Sequence, residues 1–72
     1  MIIQDIAVSH NAKKKLLQVV KDESVLFKDE DGTVVVNVAS YVALKADTGR
    51  KPLEDVLNGV ELDLSAEYLV FE

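Results

Sequence analysis

The chain is predicted to be an α+β domain in which one amphipathic helix packs on a small, mainly antiparallel sheet made of a hairpin plus a C-terminal strand. Three observations predict it. Apolar residues at 12, 16, 17, 19 and 20 recur at the spacing of one helical stripe. Two β-prone runs, Ser24–Lys28 and Thr33–Val38, flank Asp29-Glu30-Asp31-Gly32, where an Asp-Gly pair suits a hairpin turn. A third β-prone run, Glu67–Phe71, supplies a late strand. No repeat, low-complexity tract or linker interrupts the 72 residues, so 1–72 reads as a single domain.

Each element follows from local chemistry. In residues 1–8, MIIQDIAV, the β-branched bulk fits either an edge strand or an extended arm. Ser9 or Asn11 can cap the helix that follows, because a short side-chain oxygen accepts from an unpaired N–H of the first turn. No Gly or Pro interrupts 9–23. In the hairpin, Gly32 is expected at positive φ, where a residue without Cβ is unstrained. Val34, Val36 and Val38 share one face of the second strand and Val35 lies on the other, so part of this strand should be covered on both sides. Residues 40–51 have two readings: a short helix capped by Ser40 and ended at Gly49, or a continuation of the strand. Pro52 belongs in a helical first turn, Glu54 and Asp55 suit a helix N-terminus, and Gly59 follows Asn58 as a stop, which predicts a two-turn helix at about 52–58. Val60-Glu-Leu-Asp-Leu64 alternates apolar and acidic as a half-buried strand does, with Ser65-Ala66 as a bend or bulge before the last strand.

Composition narrows the function. Thirteen Asp+Glu against eight Lys+Arg leave a net charge of −5, which disfavours nucleic acid and anionic membrane as partners. With no Cys there is no disulfide or thiol chemistry. No apolar run approaches the roughly 20 residues of a membrane span, and Met1-Ile-Ile-Gln-Asp5 lacks a basic leader, so a cytoplasmic location is expected. Charge is also segregated: residues 52–72 carry six acids and no base, while Lys13, Lys14 and Lys15 cluster on the helix. Either these are solvated surfaces, or the two regions meet across a subunit contact.

No residue combination points to catalysis. His10 is the only histidine, so no site of two imidazoles can form in one chain. Aligning the calcium-loop pattern on Gly32 puts Phe27 and Val38 at the first and twelfth ligand positions, and neither can ligate. The serines lack a nucleophile elbow and the glycines form no phosphate loop; Thr48-Gly49-Arg50-Lys51 is the one local basic loop. Tyr41, Tyr68, Phe27 and Phe71 are not interleaved with Lys or Arg, as base-stacking platforms would be. Catalytic, cofactor-binding and metal-ligating residues are therefore expected to be none, and the chain is not read as an enzyme.

Two resemblances add to this reading. Ile6-Ala-Val-Ser9, Ala12, Leu16-Leu17, Val20, Glu23-Ser-Val-Leu-Phe27 and Gly32-Thr-Val-Val-Val36 form a pattern of apolar positions over about half the chain that resembles the prevent-host-death antitoxins. That resemblance implies a sheet-mediated dimer, operator binding by the N-terminal region and toxin binding by the C-terminal tail. Over its whole length, with Ala12–Lys21 as helix and Ser24–Lys28, Thr33–Val38 and Glu67–Phe71 as strands, the chain looks like the small Yopt-type prophage proteins of bacilli. This second resemblance implies a homodimer of one helix and three strands per subunit, with no activity to carry over.

The expected function is thus a small prophage-type accessory protein, a homodimeric protein-interaction module without catalysis; the alternative is an antitoxin-like transcriptional regulator that binds DNA and a toxin. Its partners would be a second copy of itself and a further protein. One helix cannot cover both faces of Thr33–Val38 and the later apolar set as well, so a twofold partner is the economical solution. The interface candidates are Val35, Tyr41, Leu64, Tyr68, Val70 and Phe71.

Overall fold

In a computed structural model, which describes residues 2–72, the elements run β1 (Ile3–Ile6), α1 (His10–Val19), β2 (Leu26–Lys28), β3 (Val34–Asn37), α2 (Val38–Thr48), α3 (Pro52–Val56) and β4 (Tyr68–Phe71). The strands form one mixed sheet in the order β1-β4-β3-β2. Only β1 and β4 are parallel, with Asp5 in register with Val70; β4–β3 and β3–β2 are antiparallel, with Val70 beside Val35 and Val35 beside Phe27. The α+β class and the helix on a small sheet are as expected from the sequence.

Strand alternation divides the sheet into two unlike faces. Ile6, Leu26, Val34, Val36, Leu69 and Phe71 point to one side, where they are buried with Leu16 and Val20 near the end of α1, Tyr41 of α2 and Leu53 and Leu57 around α3. The helices therefore form a single layer over this face, with α1 lying against α3. The other face carries Ile3, Asp5, Phe27, Val35, Tyr68 and Val70, each exposed or half-buried.

Local chemistry accounts for most boundaries. Ser9 caps α1, its Oγ accepting from the Ala12 N–H at 3.1 Å, and Leu16 is fully buried. The hairpin closes on Asp29: its Oδ1 accepts from the Asp31 and Thr33 N–H groups, its carbonyl accepts from Gly32, and Gly32 has φ 84°. Asp29 is thus occupied as a turn residue, the role the failed calcium pattern left for it. The segment 40–51 resolves to helix as far as Thr48, but Ser40 is not its cap: α2 starts when the Asn37 side chain accepts from the Ser40 N–H, and ends at Gly49 with φ 70°. Pro52 opens α3 as expected, but the helix is shorter than the two turns expected over 52–58: it ends at Val56 with Leu57 as its C-cap, so Gly59 is not its stop.

Two further expectations are corrected. Val38 still points into the core, but as the first residue of α2 rather than the last of a strand. Val60–Leu64 forms no strand, despite its alternation. The open edge of β4 is taken by β1, and the loop is held instead by the Gln4 side chain, which donates to the Glu61 carbonyl at 3.1 Å and accepts from the Asp63 N–H at 2.6 Å. A strand needs a partner edge as well as a pattern.

Candidate functional site

The open face of the sheet gathers four of the six interface candidates. Val35 and Val70 are cross-strand neighbours at its centre, and Tyr68 lies two residues from Val70 on the same face. Leu64, on the turn entering β4, is 40% exposed and shares a groove with Tyr68 and with Val42 of α2, itself 44% exposed. Phe27, 43% exposed beside Val35, and Ile3, 45% exposed beside Tyr68, extend the strip to both sheet edges. The result is an apolar band across all four strands. Isolated exposed apolar residues are ordinary, but a contiguous band of them is the usual mark of a contact surface.

Tyr41 and Phe71 lie elsewhere. Both are 0% exposed in the protomer's own core, so neither reaches the surface. Phe71 sits on the helix side of β4 because it is out of phase with Val70. Tyr41 is buried because α2 is a helix, which turns it inward beside α3. There its hydroxyl accepts from the Leu53 N–H at 3.0 Å and donates to Glu54 Oε2, while Lys45 Nζ lies 2.8 Å from Glu54 Oε1. Since α3 has no side-chain cap of its own, Tyr41 acts as its cap from the neighbouring helix. Burial, followed by the hydrogen bond to Glu54, pushes the Tyr41 hydroxyl above its ordinary value. Burial would also raise the Glu54 carboxyl, but hydrogen bonds from Lys45 and Tyr41 outweigh it and hold that carboxyl below its ordinary value. The trio is a latch between α2 and α3.

Phe27, Ile3 and Val42 were not among the interface candidates, although Phe27 reads from the sequence as core or interface packing. Phe27 was within reach, because it alternates with Leu26 in a predicted strand. Ile3 and Val42 become surface residues only once β1 pairs with β4 and 38–48 is a helix. Among the described residues, no group of three His, Cys, Asp or Glu side chains is placed to hold a metal ion, and no buried side-chain nitrogen or oxygen lacks a partner. None of their helices is long and apolar enough to cross a membrane. Comparison with protein-family models, curated proteins and solved structures finds no match.

Proposed function

We propose that the protein is a homodimeric interaction module whose subunits pack through the open sheet face. The observation that carries this reading is the Val35–Val70 pair, flanked in register by Phe27 and in the next row by Tyr68 and Ile3. Two such faces packed sheet on sheet, about 10 Å apart, would bury the valines of both copies at the centre. A specific interface takes about 800 Å² from each partner, and this protomer exposes 4735 Å², so about a sixth of its surface suffices. A second copy satisfies the band without a further component, because the band lies across the middle of the face and can meet its own twofold image.

Sedimentation equilibrium tests the reading. The expected species at micromolar concentration has twice the 7.9 kDa protomer mass, and Val70→Glu, which places a charge at the centre of the face, yields a folded monomer. A parent protein that stays folded and monomeric throughout that range rules the homodimer out.

A further inference from the structure

We propose that the recess between α1 and the β2–β3 turn binds the phosphate group of a small phosphate monoester. On α1, His10, Lys13, Lys14 and Leu17 follow the i, i+3, i+4, i+7 spacing that puts four side chains on one helical face. That face meets the hairpin, which brings Lys28 to the same place, since Lys28 points to the helix side of the sheet, two residues beyond Leu26. The recess so formed has a volume of about 250 Å³, with Leu17 and Val34 among its lining.

The charge balance there is opposite to that of the whole chain, which carries −5. Three lysines line the recess against one carboxylate, Asp31, leaving a surplus of two positive charges. Asp29, whose Oδ1 is turned to the Asp31 and Thr33 N–H groups, and Glu30 complete the acids of the turn, but neither lines the recess. The one ion pair among the described residues is Lys45–Glu54, so Lys13, Lys14 and Lys28 are all uncommitted. Three ammonium groups around one recess with a single carboxylate among them repel one another, and a bound anion relieves that repulsion. A dianion matches the surplus, whereas a single carboxylate leaves one charge over. Lysine ammoniums, mobile point donors, suit the tetrahedral oxygens of phosphate. The apolar lining, Leu17 and Val34, gives the first carbons of an ester a surface to rest on. A nucleic acid would need a basic track rather than one recess.

A ¹H–¹⁵N NMR titration tests this, with inorganic phosphate and glycerol phosphate added in parallel at an ionic strength held constant with sodium chloride. The expected result is saturable shifts centred on Lys13, Lys14 and Gly32, with the ester binding at least as tightly as free phosphate. Lys14→Gln combined with Lys28→Gln, at two exposed positions, should weaken binding about tenfold while leaving the circular dichroism spectrum unchanged. Shifts that do not saturate, that sodium chloride alone reproduces, that centre on Arg50 and Lys51, or that survive in the double variant overturn the proposal. Binding of inorganic phosphate without the ester overturns it as well.

Discussion

At the scale of single residues, Tyr41 shows how far a side chain's role depends on its surroundings. As a sequence letter it is an aromatic available for packing; in the fold its hydroxyl holds the first turn of α3, through Leu53 and Glu54. Tyr41→Phe keeps the ring and leaves the buried Leu53 N–H without an acceptor, which should cost about 1–3 kcal/mol in denaturant unfolding. The latch also sets two pH limits. Glu54 titrates below its ordinary value in the folded protein, so its contribution is present above that value and is lost as pH falls through the folded one, in the acid range. Tyr41 titrates above its ordinary value near 10, so its contribution is present below pH 10 and declines as pH rises further. A Tyr41→Phe variant whose alkaline stability falls as steeply as the parent's would show that this hydroxyl is not the group responsible. Gly32 and Ser9, by contrast, were legible in advance, because turn and cap chemistry act within four residues. At φ 84° any L side chain is strained, so Gly32→Val should lose about 1–3 kcal/mol, while Glu30→Ala, exposed in the same turn, should stay within about 0.5 kcal/mol. Equal melting temperatures for the two variants would contradict that account.

At the scale of elements, legibility followed how much of the cause is local. The α1 stripe was clear because 3.6-residue periodicity is written into consecutive residues, and Leu16 at its centre is fully buried. Leu16→Ala should therefore cost about 2–5 kcal/mol, and a variant that melts with the parent would mean that the stripe does not face the core. The 40–51 segment could not be decided in advance, since Tyr41, Val42 and Leu44 suit helix or strand alike. What selects the helix is a pair of end signals, the Asn37 side chain at its start and Gly49 at its end. The 60–64 segment had a clean period of two and still failed as a strand, because β1 already occupies the β4 edge in parallel and Gln4 holds the loop by its side chain. Pairing between residues some sixty positions apart is invisible to any local pattern. For the same reason the open face was only partly legible: the alternation of Val35 and Val70 marked them, but which face the helices would cover depended on the assembled sheet.

For the whole molecule, the decisive quantity is the distribution of charge around a one-sided sheet. A domain of this length buries only about 60% of its unfolded surface, and here a single layer of helices leaves the second sheet face without cover. Asp5 lies in register beside Val70, and Glu72 follows two residues after Val70 at the end of β4, whereas no strand residue on the open face is Lys or Arg. The proposed face-to-face dimer would therefore bring like charges at the rim of one copy toward those of the other, with the valines at the centre providing the attraction. Dissolved salt screens the repulsion, over about 10 Å at 0.1 M and about 3 Å at 1 M, and leaves the apolar burial in place. The dimer should accordingly tighten several-fold between 50 mM and 0.5 M sodium chloride, as read by sedimentation equilibrium, and Asp5→Asn should tighten it at low salt and flatten the dependence. The opposite sign is equally informative. A dimer that loosens with salt must be held by attraction between unlike charges, which in this chain means the lysines of α1 meeting the acidic 52–72 segment of a second copy. That result would move the interface from the sheet face to the helix layer.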